Sequence, residues 1–242
     1  MTELAVQISE LQSFHKGLNK TEENKREIVL SGPLPFEATA DGHNTLTECF
    51  EIELIIPNGY PKILPRVRET GGKIDSDYRH LYKNRTLCLA VPIEERRLFL
   101  EQPSLLGFVN KLVIPYFYGY CHWKKSGQHP FGEQRHGGAG IIQYYLDRLN
   151  LNDEATALAF VCFLDEYGYR GHLDCPCGSG LRVRKCHGPA LFDLHRHHTP
   201  FTLRHDLDCV RDHWARKNRD GQSLLPDKLA KQIIRIVNEE KL

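Results

Sequence analysis

The chain has 242 residues, 40% of them hydrophobic and 26% charged, with a formal net charge of +1. Those proportions describe a globular protein with enough apolar residues for one large domain or two smaller ones, not a disordered chain. They also argue against a strongly basic nucleic-acid binder. No apolar run approaches the roughly 18 residues needed to cross a bilayer, and Met1-Thr2-Glu3-Leu4 does not open a signal peptide. A cytoplasmic location with no membrane partner is expected.

Leu4, Ile8, Leu11 and Leu18 share a helical stripe over residues 3–19, which predicts an amphipathic first helix. The charged stretch from Thr21 to Arg26 leads to Ile28-Val29-Leu30, read as a first strand that Gly32-Pro33 breaks. Leu34 to Thr39 reads as a second strand. The clearest strand follows, with Phe50, Ile52, Leu54 and Ile56 alternating with Cys49, Glu51, Glu53 and Ile55. Such alternation marks an antiparallel sheet covered on one face. A fourth short strand is placed around Val67. Glu94-Glu95-Arg96-Arg97 reads as a solvated charge run. Pro103-Ser104 opens an apolar helix that Pro115 should end or kink, and the run Tyr116-Phe117-Tyr118-Gly119-Tyr120 reads as core. A loop rich in Gly, His and Pro spans 124–140, followed by a helix carrying Ile141, Tyr145 and Leu149. Asn152 or Asp153 can cap the next helix, which Gly168 ends after Tyr167. A last helix is expected from Pro226 to about Glu239. The expected domains are 1–151 and 152–242.

Of the eight cysteines, Cys49, Cys88, Cys121, Cys162 and Cys209 are scattered singly, as packing residues usually are. Cys88 differs in its setting: a polar loop, Arg79 to Thr86, then Leu87-Cys88-Leu89, with the turn Pro57-Asn58-Gly59-Tyr60-Pro61 and Pro65-Arg66-Val67 upstream. Helix, alternating strands, Tyr-Pro turn, polar loop and Leu-Cys-Leu together resemble the ubiquitin-conjugating enzyme fold, in particular its bacterial relatives. The segment from His122-Trp123 to Ile141 is similar to the region after the cysteine in those relatives, so the resemblance covers about residues 4–150. It implies an α+β fold, a four-stranded antiparallel meander with flanking helices, and a cysteine that carries a ubiquitin-like protein, or another protein's C-terminus, as a thioester.

Thioester chemistry needs a thiolate, a donor for the oxyanion and an amine that loses a proton. In the eukaryotic family an asparagine eight residues before the cysteine is credited with the oxyanion role. Here that position is His80, within Tyr78-Arg79-His80. Two substitutes remain open: His80, as hydrogen-bond donor or base, and Asn84, as an amide donor. His122 and His136 fall in the second region of resemblance, and His136 is retained as a candidate catalytic residue.

The most specific motif is Cys175-Pro176-Cys177-Gly178-Ser179-Gly180 followed by Cys186-His187-Gly188. Three thiolates and one imidazole at C-x-C, eight residues, C-H predict a closed, structural zinc site. The motif resembles the SEC-C zinc motif, named for the C-terminus of the bacterial secretion ATPase, which more commonly ends Cys-Cys. The nearby histidines His195, His197, His198, His205 and His213, with Cys209, match no ligand spacing and receive no role.

The resemblance implies a bacterial conjugating-type acyltransferase that passes its acyl group from Cys88 to a lysine amine. Its partners would be a modifier or target protein with an activated C-terminus, such as the cyclic-nucleotide synthase of CBASS-type antiphage systems, and a separate activating enzyme. The competing reading is an inactive adaptor of the same fold, with the zinc module as a second docking site.

Overall fold

The computed structural model describes residues 3–132, 135 and 137–219. The expected helix from Pro226 to about Glu239 lies outside the described residues. Among the described residues the chain forms two compact units, one of residues 3–90 and 94–132, the other of Val91–Ile93 with 135 and 137–219.

The first unit is built on a four-stranded antiparallel meander in the order β1 (Asn19–Glu23), β2 (Glu27–Ala38), β3 (Leu46–Pro57) and β4 (Arg66–Glu69). β1 is entirely exposed and fully polar, which is why hydrophobic pattern does not find it; only its pairing, Asn19 with Ser31 through Glu23 with Ile28, makes it a strand. β2 runs unbroken through Gly32-Pro33, where the sequence predicts a turn. Pro33 and Pro35 share a parity, so their missing N–H groups face one side of the strand. The pairing with β1 stops at Ser31, and β2 continues with β3 alone, Pro33 opposite Glu51 and Pro35 opposite Cys49. Proline is tolerated where a strand has a partner on one side only. Gly32, at φ 138°, is required there: a Cβ would stand 2.1 Å from the Gly17 carbonyl oxygen.

β3 follows the expected alternation. Phe50, Ile52, Leu54 and Ile56 are buried, and Leu54 faces Val67 across the next ladder. Onto this face pack α1 (Glu3–Phe14), through Leu4, Ile8 and Leu11, and the helices that follow the sheet. Phe36, Phe50 and Phe117 stack in series, their centroids 4.2–6.4 Å apart.

The Glu94–Arg97 charge run belongs to a helix, α2 (Pro92–Glu101), in which Arg97 pairs with Glu94 and Glu101, each one turn away from it. Ser104 caps α3 (Leu105–Phe108) by accepting from the Gly107 N–H. Pro115 does not end this helical run. A π-turn over Val109–Val113 precedes α4 (Ile114–Ser126), and the Ile114 N–H reaches back five residues to Val109. The proline therefore enters at a register change, where a missing donor costs little. Tyr116, Phe117, Tyr118 and Tyr120 are buried, as the aromatic run predicts.

The second unit comprises α5 (Gly137–Leu149), α6 (Glu154–Tyr167), the Cys/His knuckle, α7 (Gly188–His197) and α8 (Pro200–Arg219). Asp153 caps α6, its carboxylate accepting from the Thr156 N–H at 2.7 Å, and Gly168 follows the last turn at φ 61°. In this division α5, which precedes residue 151, falls in the second unit. Ile141, Ile142, Tyr145 and Leu149 of α5 join Leu158, Phe160, Val161 and Leu164 of α6 and Leu207, Val210 and Trp214 of α8 in one core. Apolar periodicity marks α5 as a helix but carries no information on which core it serves. No helix among the described residues is long and apolar enough to cross a membrane.

Candidate functional site

Two clusters carry chemistry, one in each unit. The first is built on the chain between β4 and α2. Leu81 and Leu87 form an antiparallel bridge. The Tyr82 N–H donates to Thr86 at 2.9 Å, and the Cys88 N–H donates to His80 at 2.9 Å. These bonds define a hairpin in which Tyr82 faces Thr86 and His80 faces Cys88. Lys83, Asn84 and Arg85 form its loop. Arg85 takes a left-handed conformation at φ 62°, as the last residue of a three-residue hairpin loop does. The Asn84 side-chain oxygen accepts from the Thr86 N–H at 3.1 Å, an Asx turn that tightens the loop.

Side chains two apart along a strand share a face. Leu81 and Leu87 turn inward, Leu87 buried and Leu81 packed on the core. His80, Tyr82, Thr86 and Cys88 therefore occupy the outer face together. The interval of eight residues between His80 and Cys88 is a consequence of this register: they are directly opposed partners. Their backbones are doubly anchored, because the His80 carbonyl also accepts the Tyr116 hydroxyl at 2.8 Å.

The hairpin is fastened to β4 from below. Thr86 bridges Arg68, and the Leu87 N–H donates to Val67 at 2.8 Å. Glu69 lies opposite Ile52, on the inner face of the sheet, and is 0% exposed. A carboxylate there requires compensation. Arg85 supplies it through an ion pair, and also donates to the Glu69 and Ile74 carbonyls at 3.0 and 3.1 Å. The Lys73 N–H donates to the second carboxylate oxygen at 3.0 Å. The strained residue of the loop is thus held by a buried charge beneath it.

Cys88 is half-buried. Its sulfur lies 3.5 Å from the Tyr82 hydroxyl, which donates to it. Burial pushes the thiol up from its ordinary value; the Tyr82 hydrogen bond pulls it down, and the negative charge of Glu95 raises it again. Glu95 accepts from the Ala90 N–H at 3.3 Å, just beyond the cysteine. The His80 ring packs against Tyr78, with centroids 5.4 Å apart, and against His129 at 5.7 Å. His129 in turn stacks on Trp123. Tyr78 is pushed up to about 12, chiefly by burial, so its phenol stays neutral.

Of the residues proposed from sequence, Cys88 and His80 are brought face to face and Asn84 sits in the turn with its oxygen engaged. His122 lies elsewhere, its ring 4.5 Å from that of His43 and its Nδ1 at 2.9 Å from the Gln128 carbonyl oxygen. His136 lies outside the described residues. Tyr82, Glu95 and His129 carry no motif that marks them in the sequence. Tyr82 has one indirect signal: it sits two residues from His80 and so shares its face in any hairpin that opposes His80 to Cys88.

The second cluster is the knuckle. The Cys175 N–H donates to Leu181 at 2.8 Å and the Val183 N–H to Leu173 at 2.9 Å, so the two arms of the knuckle run antiparallel. Gly178 and Gly180, at φ 77° and 75°, make the turn between them. A short 3-10 turn, Val183–Lys185, delivers Cys186, and His187 precedes the first residue of α7. One ligand atom from each of Cys175, Cys177, Cys186 and His187 lies within 4.8 Å of all the others. His187 Nδ1 is 3.3 Å from the Cys175 sulfur and 3.2 Å from that of Cys186, and the Cys177 and Cys186 sulfurs are 3.5 Å apart. In a tetrahedral site with thiolate and imidazole ligands, neighbouring ligand atoms stand about 3.5–3.8 Å apart, from metal–ligand lengths near 2.0–2.3 Å. The four residues fit a metal ion. The His187 ring is held edge-on by Phe160, centroid to centroid 5.1 Å.

A third grouping, around α5 and α8, is buried. Tyr145 hydrogen-bonds His198 Nε2 at 2.7 Å, and Asp206, 0% exposed, stands 3.8 Å from that nitrogen and 3.9 Å from His205 Nδ1. Among the described residues, neither carboxylate oxygen of Asp206 has a partner within hydrogen-bond distance. Burial pushes Asp206 up to about 6 and His198 down to about 3, whereas Asp206 and Cys209 hold His205 up at about 10.

No protein-family model, no curated protein and no solved structure matches this chain.

Proposed function

We propose that this protein is an acyltransferase of the ubiquitin-conjugating type, in which Cys88 accepts an activated protein C-terminus as a thioester and passes it to a lysine amine. The observation that carries the reading is the hairpin that follows a four-stranded antiparallel meander and holds Cys88 outward, directly opposite His80. A half-buried, largely protonated thiol suits an enzyme charged by an activated partner, because it resists adventitious alkylation and oxidation until an acyl donor is docked. The modifier or target protein, a cyclic-nucleotide synthase in a CBASS-type antiphage system or a ubiquitin-like protein, and the activating enzyme follow from this reading.

The knuckle we read as a structural zinc site: four soft or borderline ligands leave no open position, so the ion would cross-link the arms and perform no chemistry. It stiffens the second unit as a docking module.

The test is a covalent intermediate. Wild type, Cys88→Ser and Cys88→Ala are expressed with their neighbouring genes and resolved with and without reductant. The expected pattern is a reductant-sensitive adduct in wild type, a reductant-stable ester in Cys88→Ser and none in Cys88→Ala. Absence of all adducts, with partners still co-purifying with Cys88→Ala, would instead establish the adaptor reading. The feature favouring that second reading is the pairing of a thiol raised by burial and Glu95 with an Asn84 oxygen committed to the turn.

A further inference from the structure

The thioester reading requires a donor for the oxyanion, and the hairpin presents one that neither His80 nor Asn84 matches in position. We infer that the Tyr82 hydroxyl is that donor, a catalytic residue that hydrogen-bonds the oxyanion of the Cys88-linked acyl group during transfer. The inference rests on the conjugating-enzyme reading and assigns a role within the same site.

Geometry carries it. Tyr82 and Cys88 are diagonal neighbours on one face of the hairpin, a separation that an aromatic side chain spans. The hydroxyl already reaches the sulfur, at 3.5 Å. In a tetrahedral intermediate the oxyanion sits about 2.6–2.7 Å from the sulfur that bears its carbon, so a donor in this position needs only a small swing to reach the 2.7–3.1 Å expected of an oxyanion contact. The Tyr82 ring has room for that swing, being 56% exposed, while its backbone is pinned by hydrogen bonds to and from Thr86 and Arg85. The competing groups are less well placed. The Asn84 oxygen is bound to the Thr86 N–H, which ties its amide to the loop tip. The His80 ring is engaged with those of Tyr78 and His129, which also stack on one another.

The step balances without a further reactant. The neutral lysine amine forms a bond to the thioester carbonyl carbon, and the C=O π pair moves onto oxygen, where the Tyr82 O–H donates to it. The oxyanion collapses, the C–S bond breaks and its electron pair leaves on the Cys88 sulfur. The proton lost by the nitrogen ends on that thiolate, which burial and Glu95 make a ready acceptor, restoring the thiol.

The experiment charges Cys88 with N-acetylglycine from a small soluble thioester and follows single-turnover transfer to free lysine by mass spectrometry. Wild type, Tyr82→Phe, His80→Ala and Asn84→Ala are compared, with the alkylation rate of the Cys88 thiol measured against pH in each. Tyr82→Phe should slow transfer about 100-fold at unchanged half-saturating lysine, as loss of one oxyanion donor does. It should also move the alkylation profile to higher pH, a change that a packing role for the ring would not produce. A Tyr82→Phe transfer rate within about twofold of wild type overturns the inference and leaves the conjugating reading intact. A wild-type rate no faster than that of the free thioester in solution overturns both.

Discussion

The Cys88 hairpin and the Cys175–His187 knuckle use the same device, two short antiparallel arms joined by a tight turn, to opposite ends. In the knuckle the turn is made by two glycines and the arms aim four ligand atoms at one point. In the hairpin a left-handed Arg85 replaces glycine, and a thiol faces outward beside groups that can donate or accept a proton. Convergence produces a closed site that holds structure together. A half-buried sulfur on an anchored face leaves room for a partner. The knuckle is stabilised by what it would bind, whereas the hairpin is stabilised by a charge pair in the sheet beneath it.

That contrast can be broken most forcefully at the knuckle. Cys177→Ser should abolish metal binding, taking with it a binding free energy on the order of 10 kcal/mol, as in small zinc modules. Elemental analysis of the wild type should give one zinc per chain. Chelation should lower the melting temperature of the second unit; a metal-free protein that melts unchanged would remove the distinction between the two sites.

Arg85→Ala tests the anchor of the hairpin. It leaves Glu69 buried without its cation, and the loss should be about 3–5 kcal/mol in chemical denaturation. Glu69→Gln together with Arg85→Ala should recover much of it, because an uncharged amide tolerates burial better than an unpaired carboxylate. Equal losses in the single and double variants would show that Arg85 matters for its backbone conformation alone.

The buried Asp206 adds a pH signature to the second unit. Its folded-state pKa, about 6, lies above the ordinary 3.8, so the folded protein holds this proton more tightly than the unfolded chain. The contribution is fully present below pH 3.8 and is lost as pH rises through 6. Asp206→Asn should therefore gain stability relative to wild type between about pH 4 and 6, by roughly 2–3 kcal/mol. The comparison is made variant against wild type because His198 and His205 titrate in the same network. Parallel stability curves for the two proteins across that interval would contradict it.

The smallest effect sharpens the comparison. Cys88→Ser should change the stability of the first unit by less than about 1 kcal/mol, since the sulfur is half-buried and its hydroxyl replacement keeps the Tyr82 contact. Measured beside Cys177→Ser, it tests the difference that the proposed reactive and structural roles of the two cysteines require.

What can be read without coordinates follows from the range of the interactions involved. The knuckle's four Cys and His residues fall within 13 residues, so spacing alone names them; local pattern likewise marks the alternation of β3 and narrows the cap of α6 to Asn152 or Asp153. β1 escapes such a reading because an exposed polar strand has no hydrophobic signature. The two-proline run in β2 resembles a turn because the sequence does not say on which side a strand lacks a neighbour. The charge run at Glu94–Arg97 reads only as a solvated stretch because its one-turn ion pairs, not apolar periodicity, mark it as helix.

Local spacing and the two-residue period of a strand are enough to name the Cys/His set that could hold a metal ion and the sheet with one apolar face. The opposition of His80 and Cys88, the reach of Tyr82 to the sulfur, the pairing of Glu69 in β4 with Arg85 and the place of α5 in the second core appear only in the folded chain. Those facts depend on strand register and on partners far apart in the chain, as with Tyr145 of α5 and Val210 of α8 in their shared core. A chain's local preferences are silent about both.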